Sequence, residues 1–130
     1  MLMIKGIGTD ILDIRRFERL HLTWGNKLVE KLFNNDEVPS FSSNKKFIQS
    51  LAGKFAAKEA ISKAFGTGIG SHISFKDIKI LKDKKGKPVA SIKKLNLEDS
   101  IHISISHSND YAVAFAVVEE TWTIQSLVKL

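Results

Sequence analysis

The stretch from Asn44 to Phe65 constrains this chain most. Phe47, Leu51, Phe55 and Ala56 repeat at helical spacing and continue through Ala60, Ala64 and Phe65. That pattern predicts one long helix, rich in alanine and other good helix formers. Gly66 is placed to end it in a left-handed conformation. Gly66, Gly68 and Gly70 leave the backbone of the next loop uncovered.

The other segments are read around this helix. Ile4 to Leu12 alternates as a strand, with Ile4, Gly6, Gly8, Asp10 and Leu12 on one face and Lys5, Ile7, Thr9 and Ile11 on the other. Glycines inside a strand mark close approach of another backbone or a ligand. From Asp13, a plausible N-cap, Ile14, Phe17, Leu20 and His21 take helical spacing. Asn26 to Phe33 predicts a short helix capped by Asn26, and Asn34 to Ser43, with Pro39, a loop or broken helix. Asp77–Lys82 and Pro88–Ile92 alternate on either side of Asp83-Lys84-Lys85-Gly86, the pattern of a hairpin. Ile101–Ser106 and Tyr111–Val118 form a second pair, joined through His107 to Asp110. The tail from Glu119, with Trp122 and Leu127, is left unassigned. Strands joined by hairpins and helices grouped together predict an α+β fold: an antiparallel sheet packed against one long helix, in a single domain over residues 1–130.

The chain has no cysteine. That excludes thiolate nucleophiles, Cys-ligated zinc, iron–sulfur clusters and a disulfide scaffold. A reducing cytosol is the simplest setting, so a cytoplasmic location is expected. Apolar runs such as Tyr111–Val118 fall far short of the ~20 residues that span a bilayer. Lys5, Asp10 and Asp13 interrupt any signal-peptide layout. The net charge is +6, unevenly spread: 13 lysines lie between Asn44 and Lys94 against Glu59, Asp77 and Asp83, and the rest of the chain is net acidic. Such a field steers acidic partners: nucleic acid, a phosphate-rich cofactor or an acidic protein. A plain solvated lysine surface accounts for it equally well.

Three places could carry chemistry. Asp10 is a carboxylate on the glycine face of a strand, where burial without a partner is costly; it could also merely cap the following helix. Glu59 and Lys63 stand four apart on the long helix, an ordinary surface ion pair on one reading. On the other, Glu59 meets Asp10 at a hard cation, while Lys58 and Lys63 supply charge for phosphates. Bare N–H groups in the glycine loop could bind phosphate, although the helix C-terminus disfavours anions. His107 ends an apolar strand and is either structural, a phosphate ligand or a proton acceptor. His21, His72 and His102 lack metal-ligand spacing.

Taken together, three segments are highly specific. They are Gly6-Ile7-Gly8-Thr9-Asp10-Ile11 followed by Arg16, Phe55-Ala56-Ala57-Lys58-Glu59-Ala60 running into Lys63-Ala64-Phe65-Gly66-Thr67-Gly68, and Ser104-Ile105-Ser106-His107. In this order and spacing the chain resembles the holo-acyl-carrier-protein synthase family, the short bacterial 4′-phosphopantetheinyl transferases. The resemblance runs from Ile4 to about Val118 and includes Gly86-Lys87-Pro88. It implies the 4′-phosphopantetheinyl transferase fold and a magnesium-dependent reaction. The phosphopantetheine arm of coenzyme A would move to a serine of apo acyl carrier protein, releasing adenosine 3′,5′-bisphosphate, in fatty acid biosynthesis. By position it implies Asp10 and Glu59 as metal ligands, and Asp10, Glu59 and Lys63 as the catalytic set. It implies Lys54, Lys58, Lys63, Gly66, Gly68, Ser106 and His107 as coenzyme A contacts. Arg16 matches the helix arginine that meets the carrier protein, and Arg15 and Arg19 extend that basic face. It implies a homotrimer with each site shared between neighbouring subunits, with no nucleic acid or membrane as partner. Glu59, a metal-bound water and His107 all stand as candidates for the general base. If these parts serve one reaction, Asp10, Glu59 and His107 should converge on one coenzyme A.

The rival readings are a small basic nucleic-acid-binding domain and a carrier-binding module without catalysis. Clustered lysine favours the first, but the only three arginines, Arg15, Arg16 and Arg19, sit on one helix and no aromatic stacking ladder is visible. Intact Asp10, Glu59 and Lys63 argue against the second.

Overall fold

The computed structural model describes residues 1–41, 43–93, 99–121 and 124. The elements in order are β1 (Leu2–Asp13), α1 (Ile14–Trp24), α2 (Asn26–Leu32), a 3-10 turn (Asn35–Glu37) and α3 (Asn44–Ala64). A second 3-10 turn (Phe75–Asp77), β2 (Ile78–Lys82), β3 (Pro88–Ile92), β4 (Asp99–His107) and β5 (Tyr111–Thr121) follow. The expected single antiparallel sheet is in fact two. One has three strands with β5 between β1 and β4, and β2 and β3 pair as a separate ribbon. The ribbon packs with β3 beside β4 but does not join its ladder. Alternation identifies strands and hairpins, but it does not say which hairpins share an edge.

Helix α3 crosses the inner face of the three-stranded sheet. Small residues make that approach possible: Ala52, Ala56, Ala57 and Ala60 on the helix, and Ala112, Ala114 and Ala116 on β5, are all fully buried. Gly6 and Gly8 complete the contact. A Cβ on Gly6 would overlap the backbone carbonyl of Ala64, and one on Gly8 that of Ala60. This is the close backbone approach that glycine in a strand signals. The contact also sets the site, because it brings β1 and the second half of α3 together. Gly8→Ala is therefore expected to cost about 1–3 kcal/mol or more, since the obstructing atoms are helix backbone rather than a movable side chain. A lowered urea midpoint, with activity lost as β1 and α3 part, is the expected result.

The helix ends follow local chemistry. The Asp13 carboxylate accepts from the backbone N–H groups of Arg15 and Arg16 at 3.0 and 3.4 Å, as an N-cap does. Asn26 does not cap α2. Gly25, at φ 53°, occupies that position and also closes α1, so Asn26 is the first helical residue. Ser43 caps α3, and Gly66 follows it at φ 78°. Within the expected loop from Asn34 to Ser43, Asn34 and Glu37 form a reciprocal capping box around the first 3-10 turn.

The opposite face of the three-stranded sheet is apolar and open. Ile7, Ile11, Tyr111, Val113 and Phe115 are exposed there, Ile11 by 66%. Strand β5 carries the start of the unassigned tail to Thr121, while Trp122 and Leu127 lie outside the described residues. Among the described residues no helix is long and apolar enough to cross a membrane.

Candidate active site

Asp10 sits near the end of β1 on the glycine face, largely buried. Across from it, Glu59 and Lys63 stand one turn apart on α3. Lys63 does not pair along the helix with Glu59. Its Nζ donates to Asp10 Oδ1 at 2.9 Å and to the Thr9 carbonyl at 3.1 Å. Asp10, Glu59 and Lys63 line one hollow of about 600 Å³, bordered by Arg16, Phe55 and Tyr111. The Glu59 carboxyl is pushed above the ordinary range, first by burial and then by the negative charge of Asp10, with Lys63 partly offsetting both. Two carboxylates sharing a partly dry hollow call for a cation beyond the one lysine. Among the described residues no third acidic, histidine or cysteine ligand joins them. That donor set fits magnesium, which takes one or two carboxylates together with substrate phosphate oxygens and water.

His107 is not part of this hollow. It lines a second one of about 410 Å³ with Lys46, Lys54, Lys82, Ile80 and Pro88. The second hollow lies along α3 from Lys46 to Lys54, and the first along Phe55 to Lys63. Within one chain, then, Asp10 and Glu59 converge as expected, but His107 does not join them. Ser106 is also apart. It pairs with Val113 in the ladder and is exposed on the open face, because alternation sends it away from His107 and Ile105.

Two further expectations need correction. Lys58 is 0% exposed. Its Nζ donates to Glu37 Oε1 at 2.7 Å and to the carbonyls of Leu32 and Phe75 at 2.8 and 2.9 Å, so it has no reach to coenzyme A. Gly66 and Gly68 do not offer bare N–H groups. The Gly66 N–H is bonded to the Lys63 carbonyl, and those of Thr67 and Gly68 to Ser62. Arg15 is tied to Asp110 at 3.2 Å, holding α1 to the β4–β5 turn. Arg16 borders the acidic hollow, and Arg19 is exposed on the same helix. Of the lysines in the basic middle, Lys54 and Lys58 are buried, and Lys63 and Lys79 are ion-paired.

The sequence reading missed Glu37, which is fully buried, and the basic contributions of Lys46 and Lys82 to the second hollow. The Asn34-x-x-Glu37 spacing carries a capping-box signal that could have found the turn, though not its burial.

The family model described as the 4′-phosphopantetheinyl transferase superfamily matches residues 6–116. The chain is 45% identical to a holo-[acyl-carrier-protein] synthase of Bacillus pumilus, over 90% of this chain and 97% of that protein. In structure it is similar to the Bacillus anthracis holo-(acyl-carrier-protein) synthase in complex with CoA (3′,5′-ADP). The TM-score is 0.82 at 40% identity, covering 92% of this chain and 99% of that one. The Helicobacter pylori synthase in complex with coenzyme A matches with a TM-score of 0.76 at 37% identity, covering 86% of this chain and 98% of the other.

Proposed function

The chain belongs to the 4′-phosphopantetheinyl transferase superfamily, and from that premise we propose that it moves the 4′-phosphopantetheine group of coenzyme A onto a serine of apo acyl carrier protein. Adenosine 3′,5′-bisphosphate leaves, and the product serves fatty acid and lipid biosynthesis. The observation that carries this reading is the hollow where Asp10, Glu59 and Lys63 meet.

In the reaction the serine Oγ forms a bond to the phosphorus that bears the pantetheine arm. The bond from that phosphorus to the bisphosphate oxygen breaks, and the serine proton is lost. Such a transfer depends on positioning and on neutralising charge more than on covalent help from the protein. Asp10 and Glu59 are the residues that would hold magnesium, which when bound supplies positive charge against the pyrophosphate. Lys63 brings a half-exposed ammonium to the same wall and offsets negative charge growing on the leaving bisphosphate. Glu59 and His107 are the side chains at the two hollows able to accept the serine proton. The second hollow, with Lys46, Lys54, Lys82 and His107 around it, suits the phosphates at the nucleotide end of coenzyme A. Arg16 at the rim of the first, with Arg19 beside it, suits an acidic carrier protein, because the guanidinium fork pairs carboxylates bidentately.

We assign the working form to a homotrimer in the cytoplasm. The open apolar face of the three-stranded sheet supports self-association. So does the separation of the two hollows within one chain, which association would relieve by setting the Asp10 hollow of one subunit beside the His107 hollow of the next. Mass spectrometry of apo acyl carrier protein, incubated with this protein, coenzyme A and magnesium, tests the reaction. A gain of one phosphopantetheine mass is expected, and removing divalent cations with a chelator should abolish it. No gain with magnesium present would reject the reaction, and an undiminished gain under chelation would reject the metal.

A further inference from the structure

Glu37 is fully buried and lines neither hollow. Its carboxylate is saturated. Oε1 accepts from Lys58 Nζ at 2.7 Å and from the backbone and side-chain amides of Asn34 at 2.9 and 2.8 Å, and Oε2 accepts from the Ile80 N–H at 2.9 Å. Its main-chain carbonyl accepts the ammonium of Lys54. One negative charge thus faces two buried ammonium groups. Lys58 is spent on Glu37 and two carbonyls, so the surplus cation is Lys54, the one that lines the second hollow.

We propose that Glu37 is a positioning residue for the donor hollow: it fixes the Lys54 ammonium in the wall and supplies the counter-charge that keeps it charged, so that the hollow presents a partly dry cation to a phosphate. This rests on reading that hollow as the seat of the nucleotide end of coenzyme A. Burial works against the charge on Lys54, and the Glu37 carboxylate is the largest influence in its favour. Asp36 on the same turn also favours it, but pairs with Lys79 at 2.8 Å. Lys82 from β2 opposes it. Lys58 and Lys46 on the same helix add positive charge, and His107 from β4 shares the hollow. A cation held away from water attracts an anion more strongly than a solvated one, provided that it stays protonated.

The test is binding of adenosine 3′,5′-bisphosphate, without magnesium, by calorimetry from pH 7 to 9.5. In the unaltered protein, affinity should fall at the alkaline end, as Lys54 loses its proton below the ordinary lysine range. Glu37→Gln combined with Lys58→Met removes the carboxylate without stranding the Lys58 ammonium beside it. Compared with Lys58→Met alone, it should move this fall about one pH unit lower, with binding about tenfold weaker at the alkaline end and little changed at pH 7. Lys58→Met alone leaves Glu37 to Lys54 and should move the fall upward; because it is the less stable of the two variants, Lys54→Arg in the otherwise unaltered protein, which should erase the fall, keeps the idea testable if neither folds. Adding Lys54→Arg to the double variant should erase the fall, because arginine holds its charge throughout. Unmoved profiles, or a loss equal at every pH, would overturn the role of Glu37. If Lys54→Gln leaves binding intact, it is the reading of the hollow itself that fails.

Discussion

Asp10→Ala and Glu59→Ala are each expected to lower kcat/KM at least about a hundredfold, roughly 2.7 kcal/mol of transition-state stabilisation, because each removes half of the protein's hold on a cation at the pyrophosphate. Stability should not fall with activity. Burial and Asp10 both raise the Glu59 carboxyl. An acid raised in the fold contributes its stability while protonated and loses it as pH rises through the raised value. Once ionised, Glu59 is therefore a burden on the fold that removing Asp10 lightens. The Lys63–Asp10 pair, half-exposed on the lysine side, adds little in return. Asp10→Asn should accordingly melt no lower than the unaltered protein while failing to modify the carrier. Near-normal turnover in either alanine variant would end the metal assignment. A matching collapse in melting temperature would mean that the carboxylates serve the fold instead.

Lys58→Ala should have the largest effect on stability. Lys58 and Glu37 are both 0% exposed and meet at 2.7 Å. Removing one member strands a buried charge, at a cost of about 3–5 kcal/mol, a large share of the ~5–15 kcal/mol that holds a domain together. The carbonyls of Leu32 and Phe75 lose their donor as well. Urea unfolding should show a sharply lower midpoint, and Glu37→Gln/Lys58→Met should recover much of the loss, since no lone charge then remains inside. A Lys58→Ala protein as stable as the original would show that water reaches the pair.

Much of this molecule was legible in the residue order. The alanine run marked α3 nearly to its ends, and Gly66 marked its stop. Alternation put Gly6, Gly8 and Asp10 on the face of β1 that meets the helix, and Ile7 and Ile11 on the other. Asp13 was legible as a cap and the two hairpins as hairpins. These are local properties, set by periodicity, propensity and backbone sterics over a few residues. Tertiary structure alone decided what the polar residues on buried faces do. Helix α3 is covered on almost every side, so no polar stripe distinguished Lys58, sealed inside, from its neighbour Glu59, which opens on a hollow. The difference comes from Glu37, 21 residues before Lys58 and 43 before its other partner, Ile80. In the same way, His107 and Asp10 read as parts of one site but lie in two hollows of the protomer. A buried charge is tolerated only where a partner arrives from elsewhere in the chain, and that arrival is a fact of packing that no local pattern records.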